Sequence, residues 1–484
     1  MDSFDILILG AGPAGTCAAL RLLALGYRVA LIESAAFPRH QVGESLSPGI
    51  HNLFDYLDAT HLLQQPHCQH QLPAQVIWES TTPFQLTPQL RGHGVMVNRG
   101  LFDKDLLELA VARGLHLLQP ARYEKSIRHA QHWEIQVRLP ERRITVHSRL
   151  VLDARGRQGI TQSEKLITAP PMVALWAHID ASQMPAATCV EAIARGWLWG
   201  APTGDNQYRV MAFVDPDSLQ QQPAAIVYQQ LLRQTKLFQA PASPERPQSC
   251  PVTAYAHIQP WRNDWLQLGE AAFAIDPLSS TGVEKAMRFS LQAAIAINTV
   301  LKGGDAAMAQ QFYEEKLLES VVHHTQWTRQ YYAKGWPGVM HAFWKDRSVP
   351  YLPEKITTTP FSQQLSDALQ QTTAPSPSPA EGDNPPPNLL KLWPGSIQLS
   401  PAIKYVTTSC VVNDCLQLKT AIRHPNLQRD IAFLDAVEIY PLLLMVPGMS
   451  SFGMLVTTWS KQLPFSLAAK MAVFLWDKEI LCPQ

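Results

Sequence analysis

The sequence predicts an α/β protein: a Rossmann-type dinucleotide-binding domain with an inserted mixed sheet, followed by a small α+β module. Three observations carry this. A short apolar run at residues 4–9 leads directly into Gly10-Ala11-Gly12-Pro13-Ala14-Gly15 and then into helical spacing. Apolar runs that end on glycine and an acid return near residues 150–156 and 265–270. Alternating stretches lie between the returns, and a proline-rich segment follows them. The implied ranges are 1–72, 93–165 and 250–340 for the dinucleotide-binding domain, and 73–92 with 166–249 for the inserted sheet. Residues 341–388 form a linker region, and residues 389–484 a winged-helix-like module.

The first element is the most specific. A buried parallel strand reads as a continuous apolar run, and residues 4–9 are one. In a GxGxxG turn Gly10 allows the tight bend, Gly12 the approach of a pyrophosphate and Gly15 the packing of helix on strand. Pro13 and Ala14 open a helix whose N-terminal amides favour a phosphate. A second strand, residues 28–32, ends on Glu33 with Ser34 beside it, where a carboxylate accepts from a ribose hydroxyl. This frame requires a dinucleotide and leaves FAD and NAD both open.

The later returns are Asp153-Ala154-Arg155-Gly156 and Gly269-Glu270, each at a strand end suited to meeting a ribityl chain. The stretch Asp276-Pro277-Leu278-Ser279-Ser280-Thr281-Gly282 then leads into a long helical pattern from Val283, whose N-terminal amides suit a reduced, anionic flavin pyrimidine.

The bulk properties narrow the alternatives. The 484 residues carry a formal net charge of +0, which gives no field to gather nucleic acid or an anionic membrane. No apolar run reaches membrane-spanning length, and the acidic Met1-Asp2-Ser3-Phe4-Asp5 start is unlike a signal peptide. A cytoplasmic, soluble protein is expected. Its seven cysteines show no CxxC pair and no zinc-finger spacing, so no metal site is expected.

Three stretches resemble the flavoprotein monooxygenase superfamily of p-hydroxybenzoate-hydroxylase fold, and within it the flavin-dependent halogenase group. They are Phe37-Pro38-Arg39 with Gly43-Glu44-Ser45-Leu46-Ser47-Pro48, Val97-Asn98-Arg99 with Phe102-Asp103 and Leu106, and the loop from Asp276 to Gly282. The resemblance covers roughly residues 1–340. It implies FAD as cofactor, O2 as co-substrate and an external reductant, NAD(P)H or a reductase, that the residues do not identify. It adds Arg39, Glu44, Ser45, Arg99, Asp276, Pro277, Thr281, Gly282 and Val283 to the cofactor contacts. Glu270 stands where the superfamily has aspartate, which lengthens the arm of that ligand.

The same resemblance separates two chemistries. Trp197-Leu198-Trp199-Gly200-Ala201-Pro202 resembles the halogenase WxWxIP signature with alanine in place of isoleucine. Trp197 and Trp199, on one face of a strand, are either substrate contacts or packing. Halogenases supply a lysine between the Glu44 and Arg99 segments, whereas the first lysine here is Lys104. Tryptophan halogenases also carry a glutamate where this sequence has Ser279. The expectation is therefore hydroxylation of an indole through a flavin C4a-hydroperoxide, with Ser279, Ser280, Thr281 and Glu44 as the catalytic candidates. Glu44 reads either as a base near the substrate or as a helix N-terminal partner. The alternatives are an aromatic halogenase and a non-catalytic, flavin-bound maturation chaperone.

Residues after Gln311 read as a helix with His323, His324, Trp327, Tyr331, Tyr332 and Trp336, its histidines diverging by about 100° and its aromatics serving a core or a substrate wall. Beyond the cluster Thr373-Ala374-Pro375-Ser376-Pro377-Ser378-Pro379 and Pro385-Pro386-Pro387, residues 410–423 and 463–476 read as helices without a basic stripe. The tail is expected to dock a peptide, or to act as a lid. A body with such a tail resembles the flavoproteins that mature tryptophylquinone cofactors, above all the type serving quinohemoprotein amine dehydrogenase. The implied substrate is a tryptophan in a partner polypeptide.

Overall fold

A parallel sheet forms because its strands are apolar on both faces. In the computed structural model, β1 (Ser3–Leu9) is followed by α1 (Pro13–Ala24) and β2 (Val29–Ile32). The helix α2 (Arg99–Ala112) and the long strand β3 (Arg143–Asp153) come later in the chain. β1 lies between β2 and β3 in parallel register, Leu9 opposite Ile32 on one side and Asp153 on the other. Residues 116–118 extend the sheet beyond β2 and residues 265–267 beyond β3, both in parallel. The described residues are 3–87, 89, 94–204, 206–220, 222–238, 246–338, 341–353, 359–371 and 393–483. The two proline clusters of the expected linker lie outside them.

The inserted sheet has seven strands and is mixed, as its alternating stretches predict. Its centre is β4 (Val173–Asp180), β5 (Gly196–Gly204) and β6 (Gln207–Val214), with β6 antiparallel to both neighbours. Residues 74–77 join its far side in parallel with residues 188–193. The two faces have separate cores. Leu198, Val210 and Ala212 pack under the helix at residues 224–232, whereas Trp197, Trp199, Met211 and Phe213 face the other way. The connection returns to α3 (Gly282–Leu301), whose start faces the site, and then to α4 (Ala306–Lys334).

Contacts divide the chain into two units. One comprises residues 1–298 and 313–375, the other residues 299–312 and 376–484. Two helices, Ala342–Ser348 and Pro360–Gln370, occupy part of the range expected to be linker. Phe343, Trp344, Phe361 and Leu365 of these helices are buried, so the body extends beyond residue 340.

The second unit is α+β, but its first expected helix is a hairpin. β7 (Lys404–Val412) and β8 (Cys415–Arg423) pair through Asn413 and Asp414, both with positive φ (48° and 61°). Two consecutive left-handed residues make the tight turn that fits strand twist, and the threonine and valine run of β7 suits a pleated strand. The helix expected at residues 463–476 is present as α6 (Phe465–Asp477), preceded by α5 (Phe452–Trp459). Trp459, Leu443, Phe452 and Leu475 form this unit's core. The hairpin stands before the helices, so the winged-helix-like expectation loses its first helix. No helix among the described residues is long and apolar enough to cross a membrane.

Candidate functional site

The glycine turn works by leaving no room for side chains. Gly10 has φ +98°, and a Cβ on it would sit 2.7 Å from the carbonyl oxygen of Ala154. A Cβ on Gly15 would sit 2.0 Å from the carbonyl oxygen of Gly10, so α1 packs on the turn with no gap. Gly12 is the N-cap of α1 and no side chain caps the helix, which leaves a start suited to an anion. Glu33, buried at the end of β2, accepts from the N–H groups of Ala11 and Ala35, both at 2.8 Å. Its carboxylate is thereby fixed beside Ser34 and 3.5 Å from Arg39.

A second cluster shapes the strand that follows. Arg99, at the start of α2, grips Asp103 with two bonds of 2.9 and 3.1 Å. Its Nη1 donates to the carbonyl of Val42 at 2.7 Å. Gly43 has φ +99° and lies so close that a Cβ would come within 2.9 Å of that nitrogen. Arg39 reaches Asp103 at 3.6 Å, so one carboxylate ties two arginines together.

The ring-adjacent loop is built on a buried carboxyl. Asp276 accepts from the N–H of Leu278 at 3.0 Å and from the hydroxyl of Tyr332 at 3.0 and 3.1 Å. Burial pushes its carboxyl above the ordinary range, against those hydrogen bonds. The Ser279 and Thr281 hydroxyls bond each other at 2.7 Å, and Ser280 sits at φ 53°. Of these three, Ser280 lines the cavity, as do Gly282 and Val283, while Ser279 and Thr281 do not. The Ser279 and Thr281 hydroxyls thus hold the turn that presents Ser280.

Asp153 is engaged by its own neighbour. It is buried and accepts from Arg155, from the backbone N–H at 3.2 Å and from Nε at 2.9 Å, and it does not line the cavity. The residues after it, 154–158, line it instead. Gly269 (φ +55°) brings its turn against α1, since a Cβ there would lie 2.9 Å from that of Ala14. Glu270 lines the cavity and pairs with Arg157 at 3.1 Å.

Glu44 lines the cavity as a paired carboxylate. It precedes the short strand Ser45–Leu46, and its carboxylate forms a buried ion pair with Arg209 of β6. The Gly43 N–H donates to its other oxygen at 3.0 Å. Arg209 also contacts Nε2 of His178 at 3.0 and 3.2 Å and stacks over Trp176. Burial pulls its guanidinium pKa down and Glu44 opposes this, while burial and Arg209 hold His178 below the ordinary histidine range. Sequence reasoning missed Arg209 and His178, and left Tyr332 open between core and substrate wall. The available signal was a lone arginine and a lone histidine in otherwise apolar alternating strands, which face each other in register.

The tryptophans share one face as expected. Trp197 stacks on Phe213 at 3.9 Å and donates to the Tyr332 hydroxyl at 3.2 Å. Tyr332 is buried, His324 is buried and His323 exposed, so α4 contributes core on this side. Trp197, Trp199, Met211 and Phe213 line the same cavity as Gly12, Glu33, Arg39, Glu44, Ser45 and Arg99. Its volume is about 890 Å³, at the upper end for a ligand pocket. A side-chain-free glycine turn, an uncapped helix start and a fixed carboxylate at a strand end, set along one long cavity, fit an adenine dinucleotide. The aromatic wall at the inserted sheet fits a planar apolar partner.

Comparison with known proteins agrees with this geometry. The family model described as tryptophan halogenase matches residues 5–84 and 89–360. A tryptophan 2-halogenase of Chondromyces crocatus is 28% identical over 341 residues, which are 65% of this chain and 65% of that protein. A putative FAD-dependent oxidoreductase, LodB, of Marinomonas mediterranea is 26% identical over 366 residues, 72% of this chain and 97% of its own. Two solved structures share the fold along nearly the whole chain. The flavin-dependent halogenase CmlS has a TM-score of 0.72 at 20% identity, covering 99% of this chain and 96% of its own. The peptidyl tryptophan dihydroxylase QhpG, essential for tryptophylquinone cofactor biogenesis, has a TM-score of 0.68 at 20% identity, covering 98% and 99%.

Proposed function

The chain belongs to the tryptophan halogenase family, and from that membership we propose that it is an FAD-dependent monooxygenase hydroxylating an indole ring, a tryptophan of a partner polypeptide. The observation that carries the choice of hydroxylation is the absence of any lysine from residue 1 to residue 103. Transfer of halogen needs a side chain that takes up hypohalous acid, and hydroxylation does not. A peptidyl tryptophan dihydroxylase and a flavin-dependent halogenase both share the fold along nearly the whole chain, so the fold accommodates this reading without selecting it.

In this reading Gly12, Pro13 and Ala14 hold the FAD pyrophosphate, Glu33 a ribose, and Ser280, Gly282 and Val283 the ring end. Reduced FAD supplies the activation of O2, with the electrons coming from NAD(P)H or a partner reductase. The chain's own residues pack the substrate ring on Trp199 and Met211, exclude water with the buried wall, and keep the ring-adjacent loop in place through Asp276. The second unit docks the partner polypeptide. The test is mass spectrometry of tryptophan-containing peptides after turnover with reduced FAD, O2 and chloride or bromide. Added oxygen on tryptophan supports the proposal. A halogenated product transfers the site to the second reading, which the halogenase relatives favour. Retained peptide without any product leaves a maturation chaperone.

A further inference from the structure

A carboxylate stands at one end of the aromatic wall. Along β6 residues at i, i+2 and i+4 share a face, so Arg209 lies on the side of the sheet that carries Met211 and Phe213. The register places Trp199 opposite Met211 and Trp197 opposite Phe213. Two strand residues span about 7 Å, so the partner of Arg209 is held next to this wall. That partner is Glu44, which lines the cavity while Arg209 itself does not.

We infer that Glu44 is the anchor for the edge donor of the substrate ring, the N–H of an indole, and that Arg209 and His178 are positioning residues behind it. The inference rests on the proposed aromatic substrate and adds how that ring is recognised. A carboxylate offers about four acceptor positions. Arg209 takes one on the first oxygen and the Gly43 N–H one on the second, so each oxygen keeps capacity for another donor. Arg209 also decides which donor suits. It already balances the charge, so a neutral ring bearing an N–H is favoured over a cation. His178 accepts from Arg209 through Nε2, and this fixes the guanidinium plane against Trp176. An aromatic wall selects for a flat ring, and one acceptor at its end selects for orientation.

The probes are indole and benzothiophene, two rings of nearly one shape of which only indole carries N–H. Each is titrated into the full-length, FAD-loaded protein while the flavin absorbance is followed. The native protein is expected to bind indole about ten- to a hundredfold more tightly, the value of a hydrogen bond to a charged acceptor. Glu44→Gln is expected to reduce that ratio to a few-fold. The double variant Glu44→Leu/Arg209→Met, which removes both charges together, is expected to bring it near one while still binding benzothiophene. Equal binding of the two rings by the native protein overturns the anchor and leaves the aromatic site standing. An undiminished preference in both variants also overturns it. No flavin response to either ring removes the aromatic site itself, and the anchor with it.

Discussion

Glu44 and Arg209 are separated by 165 residues and meet as a buried ion pair, with side chains 4% and 7% exposed. The pair fastens the segment after β2, which belongs to the nucleotide-binding layer, to the central strand of the inserted sheet. Such a pair contributes little over an apolar replacement but is costly to break, because a lone buried charge remains. Arg209→Met is therefore expected to lower unfolding free energy by about 3–5 kcal/mol. The double variant Glu44→Leu/Arg209→Met is expected to recover part of that loss. Urea denaturation of the two variants checks both, and a double variant worse than Arg209→Met shows that the charge is not the cause.

The turn at Gly15 gives a sharper steric prediction. Its Cβ would sit 2.0 Å from the Gly10 carbonyl oxygen, which is backbone and cannot step aside. Gly15→Ala must push α1 off the turn, at a cost of about 1–3 kcal/mol or more. The purified variant is expected to carry little flavin, as read from its absorbance at stoichiometric FAD. Full flavin occupancy would mean that the helix start does not hold the cofactor.

The local parts of this site were legible, and the long-range parts were not. The turn from Gly10 to Gly15 and the carboxylate of Glu33 are fixed by residues within one βαβ unit, so their spacing alone specifies them. Asp153, Ser279 and Thr281 belong to recognisable segments, but spacing does not say where a side chain points. Each is taken by a neighbour: Asp153 by Arg155, and the two hydroxyls by one another. Arg209 was invisible, and the partners of Tyr332 were too, because those partners are brought together only by the fold. The hairpin at residues 404–423 was misread for a different reason. Apolar residues at helical intervals outweighed the β-branched run and the Asn413-Asp414 pair, which together specify two strands and their turn.

His324 gives the protein an acid-sensitive element. Burial, with Lys285 nearby, lowers its pKa from the usual 6.5 to about 3. The unfolded chain therefore takes up a proton below pH 6.5 that the folded chain refuses until about pH 3. Stability contributed by this group is present above the higher value and falls as pH drops through the window. The slope from one proton is about 1.4 kcal/mol per pH unit. His324→Gln is expected to flatten the stability profile between pH 6 and 4 by about that amount, measured by thermal unfolding across the range. An unchanged slope would place the acid sensitivity elsewhere.

The second unit offers a test in which a substitution should stabilise. Residues 433–434 and 437–438 pair antiparallel through Asp435 and Ala436, with φ 44° and 64°. Asp435 tolerates the left-handed region and is held by Lys470 at 2.7 Å. Ala436 has no such compensation, because its Cβ crowds the following carbonyl oxygen at a cost of about 1–2 kcal/mol. Ala436 is exposed, so removing its methyl group forfeits little burial. Ala436→Gly relieves the strain and is partly offset by the greater entropy that glycine gives the unfolded chain, about 0.4–1 kcal/mol. The net expectation is a gain of about 0.5–1 kcal/mol in the unfolding of this unit, read by urea denaturation followed through the fluorescence of Trp459 and Trp476. A loss instead would mean that the unfolded-chain term exceeds the strain at this turn.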